Sequence, residues 1–379
     1  MTISTSTPTA STRYGIIGCG MMGQEHLRNI ALLEDAEVAA IFEPDAGMRA
    51  EAAALAPNAE MVASVAGVLA HPGVNCLLIA SPNFRHLAQL EEIAATRPLP
   101  VLVEKPLFTD PADAPRLAAF RAAYPAPVWV AMEYRYMPPV AHLLREAHQA
   151  TGGVRMLTIR EHRFPFLHKV GAWNRLNAQT GGTLVEKCCH FFDLMRLVAG
   201  CNPVRIMASG GQNVNHKDEV VDGHAPDIWD NAYVIVDFAN GMRAMLELCM
   251  FAEGSRYQEE ISAVGPLGKI EALVPGPGRF WPADLGPAPV PQVIVSPRSP
   301  KGPHVLEVPV DPVALAAGDH NGSTFYQHMG FAAVVRGGGA PDVGIGDGWW
   351  AAAMGMAAQA SALTGQAVDL RQAPYLPKE

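Results

Sequence analysis

Lysine and arginine runs are absent from these 379 residues, and the formal net charge is -9. Such a surface does not draw in a polyanion, which argues against nucleic acid and anionic membranes as partners. No apolar stretch reaches the ~18 residues that a helix needs to cross a bilayer. The opening MTISTSTPTAST lacks the basic start and apolar run of a secretory signal, and it has no twin arginine. Residues 1–12 read instead as a disordered tail. The six cysteines, Cys19, Cys76, Cys188, Cys189, Cys201 and Cys249, form no CxxC pair and no regular spacing. Free thiols in a reducing compartment, and so a cytoplasmic protein, are expected.

What is present is a globular composition, 49% hydrophobic and 17% charged, with 35 glycines and 32 prolines. The length suggests two domains. From Tyr14 onward short apolar segments alternate with stretches of helical length: YGIIG, EVAAIFE, the weaker EMVAS, CLLIAS, VLVEK and VWVAM. Strands apolar on both faces, separated by helices, predict a doubly wound parallel sheet, a Rossmann domain over residues 13–133.

The first strand runs into Gly18-Cys19-Gly20-Met21-Met22-Gly23 and then a helix. Gly18 would permit a tight turn, Gly20 close approach of a pyrophosphate, and Gly23 close packing of helix on strand. Twenty residues after Gly23, at the end of the second strand, stands Glu43. An acid there bonds the adenosine ribose and repels a 2′-phosphate, so NAD is the expected cofactor, with a solvated loop acid as the bland alternative. No arginine or serine adjoins Glu43 in sequence. The ends of the fourth and fifth strands carry Ser81-Pro82-Asn83 with His86, and Glu104-Lys105-Pro106. Ligands in such sheets lie beyond the carboxyl ends of the strands. Met21, Met22, Ser81, Asn83, His86, Glu104 and Lys105 therefore join the candidate cofactor contacts.

Taken together, the glycine motif, Glu43, SPNxxH and Glu-Lys-Pro resemble the glucose-fructose oxidoreductase / inositol dehydrogenase / rhizopine catabolism (Gfo/Idh/MocA) family. AMEYRYMP, with Arg135 and Pro138, and the helix GGTLVEKCCHFFDLMRLVAG extend the likeness over nearly the whole chain. The resemblance implies a second α+β domain with a large, open, mostly antiparallel sheet, a sugar or cyclitol substrate, and a homo-oligomer. It implies Lys105 and His190 flanking the reacting carbon and Glu186 assisting, with Arg135, Trp173 and Asp193 as substrate contacts. The family's Asp-x-Gly-x-His pattern reads Glu186-Lys187-Cys188-Cys189-His190 here. Its acid is one methylene longer, and a cysteine replaces the glycine.

At ~100° per residue Glu186, His190 and Asp193 share one face of a continuous helix. A merely solvated polar face is the plain alternative. For Glu186 a second one is a capping-box contact, because Thr183 stands three residues before it. Lys187 points off the stripe, as a surface or ion-pair residue. Adjacent Cys188 and Cys189 diverge by ~100° and cannot easily close one tetrahedron with His190, so no metal is expected. His190, taken near its ordinary pKa of ~6.5, would accept the hydroxyl proton, and Lys105 would stabilise the developing alkoxide.

Beyond Pro138 extended segments dominate: RMLTIREHRF, RIMASG, AYVIVDFANGMRAMLELCMF and EEISAVGPLGKIEAL, with hairpins at Asn240-Gly241 and Gly265–Gly268. They assign residues 134–372 to a substrate-binding and oligomerisation domain. Residues 275–303, with nine prolines, read as an irregular insertion. Trp173 either overhangs the nicotinamide, as similar loops do in the family, or packs in the core. His320-Asn321-Gly322-Ser323-Thr324 is expected to cap a helix or touch a polyol. The function expected is NAD-dependent hydride transfer at a secondary alcohol of a sugar or cyclitol. The alternatives are an NAD-dependent glycosidase or lyase with transient sugar oxidation, and a non-catalytic NAD-sensing regulator.

Overall fold

The computed structural model describes residues 11–376, so most of the expected N-terminal tail lies outside the described residues. Thr12, assigned to that tail, instead opens the first strand and is fully buried. The first sheet is built from β1 (Thr12–Ile17), α1 (Met21–Ile30), β2 (Ala36–Phe42), α2 (Ala46–Leu55), β3 (Glu60–Met61) and α3 (Val65–Ala70). It continues with β4 (Cys76–Ile79), α4 (His86–Thr96), β5 (Val101–Val103), α5 (Ala114–Ala123) and β6 (Val128–Val130). All pairings are parallel, in the order β3-β2-β1-β4-β5-β6. Strand order reverses between β2-β1 and β4, which opens the crevice where nucleotides bind in such sheets. Every residue of β4, β5 and β6 is buried, the signature of strands covered on both faces.

After α6 (Pro138–Thr151) the chain enters β7 (Met156–His162), then three short helical pieces, α7 (Asn177–Thr180), α8 (Thr183–Glu186) and α9 (Cys189–Ala199). Two runs of antiparallel neighbours follow: β8 (Pro203–Gly211), β9 (Asn231–Phe238) and β10 (Arg243–Cys249), then β11 (Glu259–Gly265), β12 (Gly268–Val274), β13 (Gln292–Pro297) and β14 (His304–Glu307). Three helices, α10 (Pro312–Ala316), α11 (Ser323–Val335) and α12 (Ile345–Thr364), precede the two-residue β15 (Val368–Asp369). The nine-stranded sheet runs β14-β13-β12-β11-β7-β10-β9-β8-β15. It is antiparallel except where β7 pairs β10 in parallel. Alternating burial along β9, β10 and β11 gives one face to the core and leaves Tyr233 and Ile235 exposed on the other.

Two expectations change here. The span 275–303 is not wholly irregular, because its last third supplies β13, whose Val293 is buried. The proline spacing conceals a strand whose apolar alternation is only a few residues long. The 183–199 segment is likewise not one helix, since it breaks at Lys187 and Cys188.

Helix α12 joins the two cores. Ala351–Ala353 pack with the first cluster, and Met354, Ala357 and Ala358 with the second. Its small residues let backbones meet closely: a Cβ on Gly355 would lie 2.4 Å from the Leu184 carbonyl oxygen, and one on Gly348 2.8 Å from Val130. The alanine-rich composition is thus a packing requirement, and it seats α8 and α9 against the first sheet.

Candidate active site

A cleft of about 830 Å³ runs over the carboxyl ends of β1, β2 and β4, lined by Gly18, Gly20, Met21, Met22, Glu43 and Ser81 among others. Gly18 has φ +88, and a Cβ there would sit 2.6 Å from the Ser81 nitrogen. A Cβ on Gly23 would meet the Gly18 carbonyl at 2.7 Å. Gly20 has nothing within 4 Å of its missing Cβ. Two of the glycines therefore serve packing, and the third opens onto the cleft beside the N-terminus of α1, where a phosphate gains backbone donors and the helix dipole.

Glu43 is buried at the cleft wall, where its carboxylate accepts the Cys19 N–H at 2.5 Å and the Asp45 N–H at 2.9 Å. Held this way it presents a carboxylate at the cleft wall, and it is not a freely solvated loop acid. The structure adds a neighbour that sequence adjacency missed: Arg49, one turn into α2, donates to the Glu43 and Pro44 carbonyls.

Three expected cofactor contacts turn inward. His86 is fully buried with its ring nitrogens 2.8 Å from the Pro106 oxygen and 3.0 Å from the Ser81 oxygen, tying together the loops after β4 and β5. Glu104 faces His26 on α1, 2.9 Å away. Asn83 is 5% exposed, and its amide nitrogen lacks a protein partner. Sequence places all three at strand ends, but direction depends on rotamers and loop geometry that no motif spells out.

Lys105 leaves the end of β5, and its ammonium donates to the Glu186 carbonyl at 2.9 Å, where α8 ends. Burial pulls its pKa down, but Cys189 and the carboxylates of Glu186, Glu104 and Glu133 outweigh that and hold it above the ordinary lysine value. The lysine is a cation. Cys189 Sγ contacts the same carbonyl at 3.5 Å. Cys188 and Cys189 are both fully buried, and burial raises both thiols.

His190 is 2% exposed and stacks on Tyr134, with ring centroids 4.2 Å apart and planes within 10°. Its Nδ1 has no partner among protein groups. Burial first, and then the charges of Lys105, Lys187 and His320, push it well below the ordinary histidine value. This corrects the expectation of an ordinary pKa: the imidazole is neutral and has a lone pair to offer.

Glu186 and Asp193 are equally buried, at 2% and 1%, so the polar stripe is not a solvated face. Glu186 does not cap its helix; Gly182 is the cap residue, without a side-chain bond, and Glu186 Oε1 pairs with Lys169 at 3.3 Å. Asp193 is fully engaged by Arg135 in a two-bond fork at 2.5 Å each. Arg135 also donates to the Asp342 carbonyl. Both expected substrate contacts thus satisfy each other and act as a strut between the 133–136 turn, α9 and the start of α12.

Several site residues carried no sequence signal. Lys169 lines the cleft together with His168, Val170 and Trp173, and its ammonium lies 4.4 Å from the Trp173 ring centroid. Trp173 thus overhangs the cleft and is not a core residue. Lys187, 4% exposed and so not on the surface, pairs with Glu161 at 2.8 Å and donates to the Tyr134 hydroxyl. Glu259 lies directly opposite Glu161 in the sheet, and burial, then Glu161, pushes it up to about 7. His320 sits 2.8 Å from Glu25 and 3.6 Å from Glu133, while the Thr324 hydroxyl lies 2.5 Å from Glu133. The Ser/Thr cluster therefore serves a buried acid, and α11 begins at Gly322 without a side-chain cap.

Residues 12–132 match the family model for the NAD-binding Rossmann fold of an oxidoreductase family (GFO_IDH_MocA), and residues 150–370 match its C-terminal alpha/beta domain. The chain is 30% identical over 279 residues to inositol 2-dehydrogenase of Leifsonia xyli subsp. xyli, covering 73% of this chain and 77% of that protein. It is 27% identical over 274 residues to the rhizopine catabolism protein MocA of Rhizobium meliloti, covering 72% and 80%. Among solved structures, levoglucosan dehydrogenase in complex with NADH and levoglucosan superposes with a TM-score of 0.78 at 19% identity, over 96% of this chain and all of that one.

Proposed function

The chain belongs to the Gfo/Idh/MocA oxidoreductase family, NAD-dependent dehydrogenases and reductases, and from that premise we propose that it moves hydride between NAD and a secondary alcohol carbon of a cyclitol or sugar. The observation that carries this reading is the pairing of a neutral, buried His190 with a cationic Lys105 around the end of α8. A proton acceptor and an oxyanion-stabilising cation are what alcohol oxidation requires of the protein.

The residues present suit the cofactor, since Gly20 leaves the phosphate position open and Glu43 offers acceptors at the ribose end. NAD, when bound, supplies the hydride acceptor. His190 takes the hydroxyl proton, and Tyr134 stacked beneath keeps the ring in one plane. Lys105 donates to the same substrate oxygen and favours its developing negative charge. Lys169, drawn to Glu186, holds the 170–175 segment and Trp173 over the cleft, which excludes water from the reaction.

The test is reduced-nicotinamide absorbance of the purified protein with NAD or NADP and a panel of inositols, hexoses, anhydrosugars and methyl glycosides. NAD reduction by one polyol is the expected result. Glycoside cleavage without net NAD reduction would contradict it.

A further inference from the structure

Four buried side chains outside the cleft form an unbroken hydrogen-bond chain that ends beside Lys105. Tyr14 Oη lies 3.0 Å from His328 Nδ1, His328 Nε2 lies 2.8 Å from His26 Nδ1, and His26 Nε2 lies 2.9 Å from Glu104 Oε1. The second oxygen of Glu104 accepts the Lys105 backbone N–H at 3.2 Å. Tyr14, His26 and His328 are 0% exposed and Glu104 6%. The four come from β1, α11, α1 and the end of β5, so the fold assembles the chain from distant segments. The rings cross nearly at right angles, 82° between Tyr14 and His328 and 89° between His328 and His26.

Counting donors gives the chain a direction. Burial raises Glu104, but its bond to His26 and the charge of Lys105 outweigh that and hold it below the usual carboxylate value. An ionised carboxylate only accepts, so His26 donates from Nε2. With a single proton on His26, its Nδ1 accepts from His328 Nε2–H, and His328 accepts at Nδ1 from the Tyr14 hydroxyl. His328, held well below the ordinary histidine value by burial, is neutral, as this order requires. Each donor meets one acceptor and none is left over.

We propose that Tyr14, His328 and His26 are positioning residues that pass a directed hydrogen-bond chain to Glu104 and through it anchor Lys105 for the reaction. The proposal rests on the reading of Lys105 given above. Other charges face the chain: Glu25 lies near His26, His86 near Glu104, and Glu186, Glu133 and Lys169 near Lys105. Cys76 and Arg336 lie near Tyr14. None of them contributes a bond to the three links.

The first readout needs no substrate or cofactor. Nitrogen-15 histidine spectra of the apoprotein are expected to show His26 and His328 both as neutral Nε2–H tautomers. Tyr14→Phe, which removes only the terminal hydroxyl, is expected to release the His328 preference. An Nδ1–H tautomer at His328 in the unaltered protein would overturn the proposal.

The second readout is the pH profile of turnover with the polyol found by the panel. His26→Phe keeps the ring volume and removes the donor. Turnover is expected to fall about tenfold, with NAD affinity unchanged. The acid limb, set by His190 in the unaltered protein, should move up by about one pH unit, because Glu104 without its donor protonates at higher pH and becomes the limiting group. His26→Gln, which retains an N–H donor, should restore part of the loss, and Tyr14→Phe should move the limb in the same direction by less. A purely structural role would lower the unfolding temperature and leave the limb in place, which would overturn the proposal. If His26→Phe does not fold, Tyr14→Phe and His328→Gln carry the same test. Lys105→Met run in parallel separates the two readings. Retained turnover there would sink the catalytic role of Lys105, whereas lost turnover with an unmoved limb in the His26 and Tyr14 variants would sink the chain alone.

Discussion

The two ends of the site are made of different material. The nucleotide end is backbone and space: glycines 18, 20 and 23, a helix N-terminus, and one carboxylate pinned by two amides. The proposed reaction end is a buried set of titratable groups, Lys105, Lys169, Lys187, Glu186, Glu161, Glu259 and His320, drawn from segments up to 215 residues apart, with ion pairs Lys169–Glu186, Lys187–Glu161 and His320–Glu25. A backbone cradle depends on local sequence and tolerates changes elsewhere. A buried charge network depends on every partner, because a charge left alone in a low-dielectric interior is costly.

This contrast predicts which variants lose chemistry and which lose binding. The largest expected effect is His190→Ala, with turnover down by about 10²–10⁴-fold and NAD affinity within about twofold of wild type. Steady-state kinetics and fluorescence titration measure the two quantities, and equal losses in both would erase the distinction between the ends. Next is Gly20→Val, whose side chain would enter the cleft. NAD affinity should fall at least about tenfold while the unfolding temperature stays put, since nothing lies within 4 Å of that Cβ. Gly18→Ala, in contrast, should lower the unfolding temperature, because φ +88 and a 2.6 Å contact oppose any Cβ.

A smaller effect is expected in the pH profile. His190 is held well below the ordinary histidine value, so it is neutral and able to accept a proton above that depressed value. Oxidation should therefore persist below pH ~6.5, the ordinary midpoint, and fail only as pH drops through the lowered one. Fall-off centred near ~6.5 or above would show that the pocket does not suppress the imidazolium. The smallest is Glu43→Gln, which should raise NADP use relative to NAD by a few fold. Arg49 beside the cleft wall becomes available to a 2′-phosphate once the carboxylate charge is gone.

What could be read in the sequence follows the same division. Gly18, Gly20, Gly23 and Glu43 sit at fixed spacing because strand, turn and helix fix them locally, and the six-strand order follows from the alternation. Lys105 was legible as a strand-end ligand contact, but the catalytic roles proposed for it and for His190 were legible only through a resemblance. Lys169, Lys187, Tyr134, His26 and His328 were not, because their roles depend on partners 17 or more residues away. Lys187 illustrates why: on an uninterrupted helix it points away from the stripe, but α8 ends at Glu186 and the break turns it into the core against Glu161. The bond between Asp193 and Arg135, both expected as substrate contacts, was equally invisible in sequence, because they stand 58 residues apart. The strand β13 stayed hidden because its pattern is short and flanked by prolines.

The most direct test of the account replaces Lys105 by Met, which keeps the length of the side chain and removes its charge, and measures NAD affinity and polyol turnover on the same preparation. The account predicts affinity within about twofold of wild type and turnover down by about 10³-fold, the cost of losing one positioned charge at the reacting oxygen. Near-normal turnover, or turnover lost only in step with NAD binding, would contradict it.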